Sequence, residues 1–200
     1  HSLRANGRVI MAHLGNGASL CAASEGKSIA TTMGFSALDG LMMGTRSGNL
    51  DAGVLLYLLE QGYSHDQLQD LLYKKSGLLG VSTLSADMRE LRAQTNDLAS
   101  KAISLFTHRI VRESGAMVAC LEGLDVLAFS GGIGEHDAKL RSEVCKKMSW
   151  LGVKIDEGMN QIATEDKVTP ISSPESTVEV WVIPTDEGMV SAREAVNLLA

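Results

Sequence analysis

The sequence predicts an α/β fold: a mixed sheet with an antiparallel meander and flanking helices. Three observations predict it. Three short strand-like runs joined by tight turns open the chain. The hydrophobic period then changes from that of a strand to that of a helix near residue 50. Two later apolar runs, near 125 and 178, each lead through a turn into a helical segment.

Arg8 to His13 reads as a buried strand ending in Gly15-Asn16-Gly17. Ala18 to Ala23 is a second strand, Ser24-Glu25-Gly26-Lys27 a turn, and Ser28 to Thr32 a third strand. Asp51 to Gln61 reads as an apolar helix ended by Gly62. Ser64 to Lys75 is another, with Ser64 as N-cap and Leu68, Leu71 and Leu72 on one face. Asn96 to Leu121 is a long helix, with Leu98, Ala102, Leu105, Phe106, Ile110 and Val118 at helical spacing. Asp125 to Ser130 is a strand, Ala138 to Met148 a helix, Val178 to Ile183 a strand stopped by Pro184, and Asp186 to Leu199 the last helix. Gly152 to Ser176, with Pro170 and Pro174, reads as an irregular surface excursion. One domain over 1–200 is the simplest division.

The chain has 200 residues, 44% hydrophobic and 21% charged, an ordinary globular composition. A net charge of -6 argues against nucleic acid or an anionic membrane as partner. No apolar run reaches the roughly 20 residues that span a bilayer, and no signal sequence is visible. Cys21, Cys120 and Cys145 are few, odd in number and widely spaced, so they read as small buried hydrophobes in a cytoplasmic protein. His65, His108 and His136 have no partner at zinc-ligand spacing. The chain opens on His1 and reaches a strand at once, which reads as a piece of a longer polypeptide.

Three turns follow strands, where an α/β sheet presents backbone to ligands. His13-Leu14-Gly15-Asn16-Gly17 can cradle phosphate oxygens or be a plain hairpin turn. Gly131-Gly132-Ile133-Gly134-Glu135 can approach a nucleotide or be a tight strand-to-helix connection. Pro184-Thr185-Asp186-Glu187 can offer a carboxylate to Mg²⁺ or simply start a helix. Asp87-Met88-Arg89 can meet a nucleoside or form a solvated ion pair. The most informative stretch runs from Met33 to Gly48, where glycines and hydroxyl residues surround Arg46. An arginine so placed suits bidentate recognition of a carboxylate or phosphoryl group. The paired Met42 and Met43 read as core.

In this order, HLGNGAS, MGFSALDGLMMGTRSG, DMR, SGGIGE and IPTDE resemble the carboxyl-terminal half of the acetate kinases, over nearly the whole chain. The resemblance implies an actin-like (ribonuclease H-like) ATPase domain whose amino-terminal partner domain is absent. It implies reversible transfer of the γ-phosphoryl of ATP to acetate or another short-chain carboxylate. Arg46 would stabilise the transferring group, and His13, Leu14, Gly15, Asn16 and Gly17 would line the phosphates. Asp87, Met88 and Arg89 would contact adenosine, as would Gly131, Gly132, Ile133, Gly134 and Glu135. Glu187 would help bind Mg²⁺. The family's amino-terminal domain supplies a metal-binding Asn, a substrate-binding Arg, a catalytic Asp and a second His; none maps here, so the isolated chain is expected to be inactive. A homodimer through this half is implied, through Leu38 to Met43 or the helix from Asp51. Ala30, Asp39 and Gly188 replace residues usual in the family, an Asp and two Glu. The alternatives are a propionate or butyrate kinase relative and a non-enzymatic nucleotide-binding module.

Overall fold

The computed structural model describes residues 2, 4–163, 167–186, 188, 195, 196 and 198. Its strands are β1 (Arg8–Leu14), β2 (Ala18–Ser24), β3 (Lys27–Thr31), β4 (Val126–Ser130), β5 (Thr169–Pro170) and β6 (Glu179–Val182). Among the described residues they form one sheet in the order β3-β2-β1-β4-β6-β5. The first three are the expected antiparallel meander. β4 pairs parallel with β1 and with β6, and β5 returns antiparallel on β6. The β2–β3 turn places Glu25 and Gly26 at φ 53° and 72°, the paired left-handed residues of a two-residue hairpin.

The helices are α1 (Ala52–Glu60), α2 (His65–Lys74), α3 (Gly77–Ser82), α4 (Met88–Arg92), α5 (Asp97–Leu121), α6 (Gly131–His136), α7 (Ala138–Lys147) and α8 (Glu157–Ile162), with a 3₁₀ turn at Ser149–Leu151. Ser64 caps α2 in a full capping box with Gln67. Asn96 caps α5 by accepting from the Leu98 N–H. The long helix α5 lies across the meander. It presses Ala102, Phe106 and Ile110 toward a sheet face bearing Ile10, Ala12, Leu14, Leu20 and Ala22, all buried. Leu98 and Leu105, expected on that seam, are each 39% exposed. They lie to one side of the line through Ala99, Ala102, Phe106 and Ile110.

Other expectations need correction. The stretch from Gly152 to Ser176 holds α8 and β5, and it buries Val153, Asn160 and Ile171. The run from Gly131, expected as a turn between a strand and a helix, is itself the short helix α6. Helices α3 and α4 went unforeseen, because five or six residues carry too little periodicity to read. Of the cysteines only Cys145 is buried; Cys120 is exposed. The helix expected over Asp186–Leu199 lies largely outside the described residues.

The amino ends of β1 and β4 are strapped together by a charged fork. Asp125 Oδ2 accepts from the Arg8 backbone N–H at 2.8 Å and from Nε at 2.9 Å, and Oδ1 accepts from Nη2 at 2.7 Å. The Arg8 side chain, and then its N–H, hold the Asp125 carboxyl down at about 2. A depressed carboxylate stabilises the fold above its ordinary pKa of about 4, and that share disappears as pH falls from about 4 to about 2. Asp125→Asn should therefore lower the thermal midpoint by a few degrees at pH 7. The variant should also lose less stability than the parent between pH 4 and pH 2, read by calorimetry across that range.

Candidate active site

A cleft of about 1230 Å³ opens at the carboxyl ends of β1 and β4. It collects what the sequence scatters. His13, Gly15, Asn16 and Gly17 come from the β1–β2 turn, Arg46 from the loop before α1, Asp87, Met88 and Arg89 from the start of α4, and Gly132 and Ile133 from α6. Leu14, Gly131, Gly134 and Glu135 are not on its wall. All four are buried and build the turns from beneath. Arg92, His136 and Asp137 do line it, although nothing in the sequence singled them out as binding residues.

The Arg46 loop has almost no regular structure, yet its backbone is closely tied. At the end of α2 the carbonyls of Leu72 and Tyr73 lack partners within the helix. They accept from the Ser47 N–H at 3.1 Å and from Thr45 Oγ1 at 2.8 Å. At the start of α3 no side chain caps the helix. There the N–H groups of Leu78 and Leu79 donate to the carbonyls of Met43 and Gly44, both at 2.9 Å. The loop is thus the cap of two helices at once. Such close backbone contact demands glycine: Gly77 has φ +64°, and a Cβ on it would strike the Met43 carbonyl. Asp39 fits because Gly34 leaves it room, and it accepts from the Gly40 N–H at 2.8 Å. Leu41, Met42 and Met43 are buried in this domain, which removes them as an interface.

Arg46 Nη1 donates to the Ala37 carbonyl at 2.5 Å. A Cβ on Gly17 would sit 2.8 Å from Nη2, so a larger residue there would push the guanidinium away from that turn. Among the described residues, its other N–H donors make no hydrogen bond. A planar fork held by one edge, with donors to spare over a cleft, is prepared for a phosphoryl or carboxylate anion.

Asp87 caps α4 and pairs with Arg89, Nη2 to Oδ2 at 2.6 Å. Arg89 holds its carboxyl at about 2. The expected ion pair is therefore present, and the motif that carries it also lines the cleft. Behind it, Arg92 Nε donates to Asp137 at 3.1 Å and its two terminal nitrogens to Glu143. Asp137 also caps α7 by accepting from the Leu140 N–H at 2.9 Å, which locks α4 to α7.

Helix α6 is held at both ends. Gly131 has φ +76°, and a Cβ there would meet the Leu14 carbonyl at 2.8 Å. At the other end, Arg141 is fully buried. Its Nη1 donates to the Gly134 and Glu135 carbonyls at 2.9 and 2.7 Å, and Nε and Nη2 donate to Asn160 at 2.8 and 2.6 Å. Burial pulls its pKa below the usual guanidinium value, and the charge of Asp137 offsets part of that. Sequence reading passed over Arg141. The available signal was its place on α7, three and four residues before the core residues Val144 and Cys145. Among the described residues no three His, Cys, Asp or Glu side chains gather to hold a metal. Glu187 lies outside those residues.

The fold and cleft define a class: an α/β domain that presents glycine-built turns and an uncommitted arginine at the carboxyl ends of parallel strands. Residues 3–193 match the model of the acetokinase family, and the chain belongs to that family. It is 53% identical over 195 residues to an acetate kinase of Rhodopseudomonas palustris (strain ATCC BAA-98 / CGA009), covering 97% of this chain and 48% of that one. Among solved structures, the acetate kinase of Porphyromonas gingivalis matches at TM-score 0.89 and 41% identity, covering 98% of this chain and 50% of its own. A propionate kinase of Francisella tularensis subsp. tularensis SCHU S4 matches at 0.86 and 39%, covering 95% and 49%. The chain spans about half the length of the curated relatives it matches.

Replacing Arg141 with Met should strand four buried acceptor contacts. The expected loss is roughly 2–4 kcal/mol of unfolding free energy, read from urea denaturation.

Proposed function

We propose that this chain is the carboxyl-terminal, nucleotide-binding half of an acetate kinase, and that the whole protein moves the γ-phosphoryl of ATP reversibly to acetate. The observation that carries the reading is Arg46, hydrogen-bonded to Ala37, lying beside Gly17 and lining a cleft shared with the His13 turn and α6. An acetate oxygen attacks the γ-phosphorus in line. The bond to the β,γ-bridging oxygen breaks, and ADP and acetyl phosphate form. Positioning and charge neutralisation carry most of such a reaction. The His13–Gly17 turn orients the phosphates, Asp87, Met88, Arg89, Gly132 and Ile133 hold the nucleoside, and Arg46 neutralises charge on the equatorial oxygens.

The donor set suits Mg²⁺ that arrives with the nucleotide. Mg²⁺ needs only one or two carboxylates beside phosphate oxygens and water, and the sequence that follows β6 carries Asp186 and Glu187. Bound there, the ion would supply positive charge that offsets the negative charge of the transferring phosphoryl group.

A propionate kinase reading draws on the Francisella tularensis structure, and rates with acetate, propionate and butyrate separate the two. The protein works as a cytoplasmic homodimer. Helix α1 is apolar and buries none of its residues, with Leu56 62% and Tyr57 58% exposed. An unpartnered helix of that composition suits a second copy of the chain.

In the full-length protein, Arg46→Ala should cut kcat by about 10³ or more while ADP affinity changes only a few-fold. A kcat within tenfold of the parent would overturn the kinase role of Arg46. The 200-residue chain alone should form no acyl hydroxamate from acetate, ATP and hydroxylamine. Leu56→Glu should turn the dimer into a monomer in sedimentation analysis.

A further inference from the structure

We propose that Glu135 is a positioning residue, tying α6 to the turn after β6 so that nucleotide affinity depends on the Glu135–Thr185 contact. The inference rests on the nucleotide-binding reading above. Glu135 is 5% exposed and lies under the cleft, off its wall. Its Oε1 accepts three hydrogen bonds: from the Gly131 N–H at 2.8 Å, the Thr185 N–H at 3.1 Å and Thr185 Oγ1 at 2.8 Å. Among the described residues it has no cationic partner within ion-pair distance. A buried carboxylate without a counter-charge is costly, and a neutral side chain could fill the space. What the carboxylate adds is a strong acceptor that gathers donors from two separate segments on one atom.

Those segments matter because of where they stand. β4 and β6 are neighbours in the sheet, and each gives rise to one of them at its carboxyl end. Gly131 begins α6, and the next two residues, Gly132 and Ile133, line the cleft. Thr185 is followed by the carboxylates Asp186 and Glu187. The hydrogen bond to Gly131 sets the start of α6, and the pair to Thr185 fixes the turn against it. With the tie cut, the surface meeting the base and the acidic turn are no longer held at one spacing.

The experiment is ADP calorimetry on the full-length protein, with kcat, KM and thermal midpoint for each variant. Glu135→Ala should weaken ADP binding about tenfold, as expected for lost hydrogen bonds to a charged group. KM for ATP should rise more than kcat falls. Glu135→Gln, which keeps an acceptor oxygen but not the charge, should fall between Glu135→Ala and the parent, about threefold weaker than the parent. Thr185→Val should weaken binding about threefold at an unchanged midpoint, and should add nothing on top of Glu135→Ala. The inference is overturned if Glu135→Ala lowers only the midpoint, or if the two effects multiply. Should Glu135→Ala not fold, Thr185→Val decides: unchanged ADP affinity overturns the tie. A parent protein that binds no ADP would sink the kinase reading and this inference with it. A parent that binds ADP, with unaltered variants, sinks this inference alone.

Discussion

The parallel pairing of β1 with β4 is the constraint on which the cleft depends. Its register sets His13 opposite Ser130, with His13 Nδ1 3.2 Å from Ser130 Oγ. The two turns that follow those residues therefore emerge side by side. A slip of one residue would turn Leu14 out of the core and His13 into it. The Arg8–Asp125 fork anchors the other end of the same pair, so the ladder is fixed from both ends.

Around that pairing one device recurs: a helix end left short of hydrogen bonds is completed by a neighbouring loop or by a buried side chain. The Arg46 loop completes the end of α2 and the start of α3. Arg141 completes the end of α6, and Glu135 accepts from the first N–H of that helix. Each loop is thereby held at the positions where a helix needs a partner. This explains how a loop with little regular structure can hold a guanidinium in one place on the cleft wall.

Much of this was legible in the sequence. The meander showed in three short strand-like runs joined by tight turns, Glu25-Gly26 among them, and the long helix in its apolar stripe starting at Asn96. The cleft showed in glycines placed after strands, because a close backbone approach leaves glycine as its mark. Arg46 stood out for the same reason. What stayed hidden was three-dimensional in origin. Leu14 and Glu135 share motifs with cleft residues yet face the other way, and motif membership does not encode facing. Arg141 is an arginine in the core, against the usual preference of its type. α8 lay inside a stretch whose prolines suggested loop.

The long span bridged by the β1–β4 pair also sets the order in which the molecule can assemble. The meander closes over two- and three-residue turns, so it can form early from local contacts. Joining β1 to β4 brings together residues 117 apart in the chain, and such closure is entropically expensive and slow. Until it happens, the His13 turn exists without α6 beside it, and the apolar edge of β1 stands open to wrong partners. The cleft is therefore among the last features to form. Its appearance during refolding would mark the completed fold more faithfully than the gain of secondary structure.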